Sequence, residues 1–173
     1  GIADKFGLSK TATIVAGTTD GCAAFLASGA SEPGDGVTSL GTTLTLKLLS
    51  DRPVFSPVYG IYSHRIGDQW LAGGASNSGG GVLRKYFSGD DIARLTELID
   101  PNASTGLDYY PLTQAGERFP IADPKFAPRL LPRPDDDRVF FQALLEGIAS
   151  IEKSGYQRLA ELGATPLQTI RSV

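Results

Sequence analysis

Val15-Ala-Gly-Thr-Thr-Asp-Gly-Cys-Ala-Ala-Phe25 and, further along, Ser39-Leu-Gly-Thr-Thr-Leu44 are the stretches on which the fold of this chain turns. The first sets a single carboxylate, Asp20, at the mouth of an apolar, β-branched run, Thr11 to Ala16, that reads as a buried strand. Small residues from Cys22 to Ala30 then predict a helix packed closely on a sheet. The second stretch is a Gly-Thr-Thr turn between two strand-like runs, Val37–Leu40 and Leu44–Leu49, with β-branched alternation at Thr38, Thr43 and Thr45. Successive N–H groups of such a turn can form a concavity for phosphate oxygens, helped by a threonine hydroxyl. An acid beside a phosphate cradle points to phosphoryl transfer to a hydroxyl. That reaction has a loose transition state, so an ordinary aspartate serves by orienting the hydroxyl and accepting its proton late. Each element also has a plainer reading. Asp20 can cap the following helix, and Gly41-Thr42-Thr43 can be a hairpin turn or bulge in which glycine supplies positive φ.

Outward from these stretches the chain alternates strand and helix signals. Residues 1–8 read as the end of a short helix stopping at Gly7. Gly34-Asp-Gly36 reads as a turn, and Asp51 to Pro57 as a proline-bearing loop. Tyr59–Ile66 and Gln69–Ala72, joined across Gly67-Asp68, form a clear hairpin pattern. The glycine run Gly73–Gly81 follows, then a helix marked by Val82, Leu83, Tyr86 and Phe87. Glycines there permit close packing of helix on sheet, and a helix start at Asn77-Ser-Gly-Gly-Gly81 offers N–H groups to an anion. No Lys-Ser/Thr pair follows, so this is not a P-loop, and it does not open a βαβ unit. Asp90–Ile99 predicts a short amphipathic helix, and residues 101–134 a long irregular region rich in proline and aromatics. Asp137 to Leu162 predicts the longest helix. Its apolar stripe is Phe140, Leu144, Ile148, Ile151, Gly155 and Leu159, with capping by Asp135–Asp137 and an end at Gly163. Leu167–Val173 alternates like a strand. His64 is read as a strand residue paired across the hairpin, Trp70 as a core anchor and Cys22 as a buried, inert thiol. Tyr109-Tyr110-Pro111 can line a pocket or pack the long loop.

Bulk composition narrows the classes. The 173 residues are 41% hydrophobic and 20% charged, with net charge −3 and no basic run, which argues against a nucleic-acid partner. No apolar run approaches the roughly 20 residues of a membrane span, and no signal peptide opens the chain. One cysteine excludes an internal disulfide framework, and one histidine leaves little from which to build a zinc site or a Ser-His-Asp triad. A reducing compartment fits. The absence of methionine and the strand-like end at Val173 lead us to expect a segment of a longer protein.

Three blocks in order, Ala16-Gly-Thr-Thr-Asp20, Ser39-Leu-Gly-Thr42 and Gly73–Gly81, resemble the C-terminal domain of the FGGY carbohydrate kinases. Phe25-Leu-Ala-Ser-Gly-Ala30, Gly106-Leu-Asp-Tyr-Tyr-Pro111, Gly116-Glu-Arg-Phe-Pro-Ile-Ala-Asp-Pro124 and Gly155-Tyr-Gln-Arg-Leu159 are similar to its cyanobacterial and plant branch, the D-ribulose kinases, some labelled xylulose kinase-like. The resemblance spans essentially the whole chain. It implies an α/β, actin-like (ribonuclease H-like) fold, here truncated. Residues 1–173 would be part of the C-terminal domain, facing an absent N-terminal domain across a cleft. The implied activity is ATP-dependent phosphorylation of D-ribulose, with D-xylulose as the alternative sugar and a non-catalytic nucleotide- or sugar-binding module as the alternative class. Asp20 would be the catalytic base; Gly41, Thr42 and Thr43 would meet the ATP phosphates, and Gly79 would approach the nucleotide. Mg²⁺ would accompany ATP, and the enzyme would be cytoplasmic, or stromal in a plant or alga. The sequence departs from the family's pattern in lacking the N-terminal phosphate loop and the adenosine-binding Gly-Gly-Gly-Ala segment expected beyond Val173. Leu83 also stands where glycerol kinases carry glutamine.

Overall fold

A computed structural model describes residues 1–13, 15 and 17–173. The elements are α1 (Ile2–Phe6), α2 (Asp20–Ala27), β1 (Asp35–Leu40), β2 (Leu44–Ser50), β3 (Tyr62–Ile66), β4 (Gln69–Ala75), α3 (Gly80–Tyr86), α4 (Gly89–Thr96), α5 (Asp137–Glu161) and β5 (Thr169–Ser172). The strands form one mixed sheet in the order β3-β4-β2-β1-β5. β1, β2, β4 and β3 are antiparallel neighbours, whereas β5 runs parallel to β1. A parallel return needs a long crossover, and the 25-residue α5 supplies it. Asp136 caps α5 by accepting the Arg138 N–H at 2.8 Å, and Gly163, in the left-handed region, follows its last turn.

Alternation along β2 divides the core between the two faces of the sheet. Leu44, Leu46 and Leu48 pack with the expected α5 stripe of Phe140, Leu144, Ile148, Ile151 and Leu159. Leu49 faces the other way, joining Val37, Leu71 and the α2 side chains Cys22 and Phe25. At the parallel edge, the Asp35 carboxylate accepts from the Thr169 hydroxyl at 2.5 Å and from the Ser31 and Glu32 N–H groups, with Arg171 at 3.2 Å. The Thr169 hydroxyl first, then those N–H groups, hold its carboxyl well below the usual carboxylate range.

Several sequence expectations shift in the structure. The strand expected over Thr11–Ala16 includes residues 14 and 16, which lie outside the described residues. Thr11, Ala12, Thr13 and Val15 belong to no strand, and Val15 is 80% exposed. Those four make no ladder with any described strand, so β-branched propensity there is left without a pleated partner. Asp35 and Gly36, read as a turn, open β1 because both pair with β5. Gly73 and Gly74, read as part of a glycine loop, close β4, opposite Lys47 and Leu46. Trp70 is half-buried under the Arg65 guanidinium at 5.2 Å rather than anchoring the core. His64 pairs with Leu71 across the hairpin, and Cys22 is a buried free thiol, as read.

The irregular region carries isolated bridges at Tyr110↔Arg129 and Glu117↔Asp123, and it is part of the core. Tyr109 is buried beside Phe140, with ring centroids 6.0 Å apart. Phe119, with no exposed surface, is wedged between β4 and α5 where Gly74 and Gly155 leave room. A Cβ at Gly155 would stand 2.6 Å from the tip of that ring and 2.8 Å from Leu46. Alanine favours a helix over glycine by roughly 1 kcal/mol, while overpacking a rigid core costs roughly 1–3 kcal/mol. Packing should win. Gly155→Ala is therefore expected to lower the Tm by a few degrees in a thermal melt; an unchanged or higher Tm would mean the slot can relax.

Candidate functional site

Gly41, Thr42 and Thr43 connect β1 to β2 at one end of the sheet, and the start of α3 lies directly against them. The Gly80 N–H donates to the Gly41 carbonyl at 2.9 Å and the Gly81 N–H to the Thr42 carbonyl at 3.0 Å. Contact this close requires a backbone without a side chain at Gly79. Its φ is 144°, and a Cβ there would sit 2.7–2.8 Å from the backbone of Thr43 and Leu44. The structure thus brings Gly41, Thr42, Thr43 and Gly79 together from segments far apart in sequence.

The direction of those hydrogen bonds decides what the turn can do. In a trans peptide the carbonyl and the next N–H point opposite ways. With the Gly41 and Thr42 carbonyls tied to α3, the N–H groups of Thr42 and Thr43 face away from it. Neither N–H has an acceptor among the described residues, and Thr42 is exposed. Two adjacent outward donors beside a threonine hydroxyl suit an anion's oxygens. The expectation of free amides at the helix start holds only in small part: Asn77 N–H donates to Glu117, Ser78 N–H to the Ser76 hydroxyl, and the Gly80 and Gly81 N–H groups to the turn, which leaves Gly79 N–H without an acceptor among the described residues. The turn adds the free donors of Thr42 and Thr43. Gly41 also lacks a left-handed backbone, because its connection closes through α3 and not through a tight hairpin.

Asp20 lies at the same end of the sheet but on the opposite face. It is the first residue of α2; the cap is Thr19, whose hydroxyl accepts from the Cys22 N–H at 3.4 Å. The capping reading of Asp20 is thereby replaced. Its Oδ1 accepts from the Gly21 N–H at 2.8 Å, Oδ2 has no partner among the described residues, and the residue is exposed. A pocket of about 130 Å³ separates the first turn of α2 from the sheet, lined by Gly21, Phe25, Ser39, Thr45, Lys47 and neighbours. Leu40↔Leu44 is the strand pair adjoining the turn and Ser39↔Thr45 the next one, so the pocket lies one pair from the turn, with Gly21, the residue after Asp20, in its wall.

Residues that sequence reading passed over complete the surroundings. Lys47 is 6% exposed, has no carboxylate within ion-pair distance among the described residues, and sits 4.6 Å from the Tyr62 ring. Burial pushes its ammonium below the usual lysine range; burial, then Lys47, does the same to His64. The one hint was a lysine inside the apolar run Leu44–Leu49. Glu117, Ser76 and the partnerless buried hydroxyl of Ser78 lie behind the turn; the blocks Gly116–Pro124 and Gly73–Gly81 that contain them stood out in the sequence, but these three side chains did not. Leu83 is buried in the core. No group of three potential metal ligands occurs among the described residues, and no described helix is long and apolar enough to cross a membrane.

Comparison with solved structures assigns this architecture. A xyloylose kinase from Brucella ovis superposes over 99% of this chain with a TM-score of 0.78 at 23% identity. The chain has the actin-like fold of sugar kinases. A glycerol kinase from Plasmodium falciparum, solved with ADP, shares this actin-like unit over 88% of the chain, with a TM-score of 0.62 at 18% identity. A gluconokinase from Bacillus subtilis (strain 168) is 30% identical over 140 residues, 71% of this chain. The chain spans only 27% of that relative and 37% and 33% of the two solved chains. No family model matches. The α/β fold expected from the sequence is the one observed.

Gly79 offers a direct test of the contact between turn and helix. Gly79→Ala adds both left-handed strain and a backbone clash, together about 2–4 kcal/mol. Gly89→Ala, at a site with nothing within 4 Å of the added Cβ, should change stability by less than about 1 kcal/mol. Urea unfolding of both variants checks this, and equal effects would remove the special status of Gly79.

Proposed function

We propose that the complete protein is an ATP-dependent carbohydrate kinase and that this chain is part of its C-terminal domain. One observation carries the reading: the turn at 41–43 has the carbonyls of Gly41 and Thr42 bound behind it and the N–H groups of Thr42 and Thr43 facing out, at the end of the sheet where α2 starts with Asp20, whose Oδ2 has no partner among the described residues. The likeness to kinases named for xylulose, gluconate and glycerol supports it.

In this reading Gly41, Thr42 and Thr43 meet the nucleotide phosphates, and Gly79 keeps the turn open to them. Asp20 orients a sugar hydroxyl through Oδ2. As the sugar hydroxyl oxygen bonds to the γ-phosphorus and the bond from phosphorus to the β-γ bridging oxygen breaks, the hydroxyl proton passes to the Asp20 carboxylate, giving a sugar phosphate and ADP. The turn's donors fit phosphate. Mg²⁺ would be held chiefly through phosphate oxygens, as this hard cation commonly is, and would neutralise charge on them. An N-terminal domain would supply the facing wall of the cleft and most sugar contacts. D-Ribulose is the proposed substrate, on the resemblance of the Gly106–Pro111 and Gly116–Pro124 segments to the ribulose kinase branch. D-Xylulose is the second reading, favoured by the solved xylulose kinases that share the fold.

Two variants of the complete protein test these roles. Asp20→Asn should cut kcat by at least about 100-fold while ATP still binds; keeping more than about a tenth of the rate would remove Asp20 as the base. Gly41→Val has room to fold, since the nearest atom to an added Cβ is 3.7 Å away. Its ATP affinity, measured by calorimetry, should fall at least about tenfold, roughly 1.4 kcal/mol. Unchanged affinity would make the turn purely structural. Sugar-dependent ADP release with D-ribulose, D-xylulose and gluconate ranks the substrates.

A further inference from the structure

Behind the turn sits a second carboxylate in a very different setting. Glu117 is 3% exposed and belongs to the irregular region, yet it reaches the connection between β4 and α3. Its Oε2 accepts from the Ser76 hydroxyl at 2.6 Å and the Tyr110 hydroxyl at 2.9 Å. Its Oε1 accepts from the Asn77 N–H at 2.7 Å and the Arg118 N–H at 2.8 Å, with the Phe119 N–H at 3.5 Å. Every neighbour is a donor, which suits an acceptor-only carboxylate. The Asn77 amide side chain adds a bond to the Gly116 carbonyl at 3.0 Å. The same Ser76 hydroxyl accepts the Ser78 N–H at 2.9 Å, and the Ser78 carbonyl accepts the Leu44 N–H at 2.7 Å. An unbroken path of short hydrogen bonds therefore runs from Glu117 through Ser76 and Ser78 to the first residue of β2, beside the turn.

We infer that Glu117 is a positioning residue for the phosphate-facing turn. By holding Ser76 and Asn77 it fixes the connection Ser76–Gly79, which sets where α3 begins and so where the turn carbonyls are tied. Its oxygens are occupied by donors on the side of the irregular region and the connection, so its charge is spent there. Neutral donors from three parts of the chain (Tyr110, the 117–119 backbone and the 76–77 connection) converge on one carboxylate, whereas a single backbone bond would close a loop with less effort. The inference rests on the phosphate-binding reading of the turn for its functional consequence, but its structural content can be tested without any ligand.

Hydrogen exchange on the complete protein reads it directly. In Glu117→Gln the amide NH₂ must face one or more of these donors. Exchange at the Gly80 and Gly81 amides is expected to quicken at least tenfold, with that of α4 unchanged. Tyr110→Phe removes a donor from the far side and should leave Gly80 and Gly81 as in wild type. In parallel, Glu117→Gln should raise KM for ATP at least tenfold and KM for the sugar less than twofold. Unaltered exchange at Gly80 and Gly81, or an equal rise in both KM values, would overturn the positioning role. If Glu117→Gln does not fold, Ser76→Ala reads the same two amides, and unaltered exchange there overturns the proposal equally. A wild-type protein that neither binds ATP nor turns over sugar would overturn the kinase reading, while the exchange data would still decide what Glu117 holds.

Discussion

Everything at the candidate site depends on two backbones lying at hydrogen-bonding distance from each other. The start of α3 donates to two consecutive carbonyls of the β1–β2 turn, and no side chain fits between them at Gly79. This contact shapes the turn from behind. Peptide planarity does the rest, since fixing a carbonyl fixes the direction of the N–H on the same peptide. Helix amides bound to the turn cannot themselves meet a ligand. The arrangement instead leaves the outward donors on the loop that the helix supports. The helix acts as a brace.

Three carboxylates show how surroundings sort one chemical group into separate tasks. Asp35 spends its oxygens on Thr169, Ser31 and Glu32, and joins the parallel edge strand to β1. Glu117 spends its own on Ser76, Asn77, Tyr110 and Arg118, deep behind the turn. Asp20 alone of the three is exposed and keeps one oxygen without a partner among the described residues. A carboxylate committed to several donors is held in place by them. An exposed one with an open lone pair keeps an acceptor available to a group from outside the fold. The availability of Asp20 is as much a structural property as the immobility of the other two.

The irregular region links core and site through adjacent residues. Phe119 occupies a slot that only glycine at positions 74 and 155 leaves open, and Glu117, two residues earlier, points to the β4–α3 connection. Burial of the ring thereby sets the position of the carboxylate. The segment is not packed as a substructure of its own, because its aromatic side chains Tyr109 and Phe119 join the core beneath α5.

Local sequence determined the elements wherever the signal was periodic or came from a cap. The α5 stripe, its Asp136 cap, the β3–β4 hairpin and the β1–β2 pair all stand close to where the pattern of residues put them. Asp20, Gly41, Thr42, Thr43 and Gly79 were singled out by motif and resemblance, and the structure brings Gly41, Thr42, Thr43 and Gly79 together. Tertiary structure alone decided which amides face outward, because that depends on partners supplied by a remote helix. It also drew Asp35 and Gly36 into β1, Gly73 and Gly74 into β4, and buried Lys47 and Glu117. Strand pairing and burial of charge are settled by what lies across the fold, and neighbours in sequence carry no record of it.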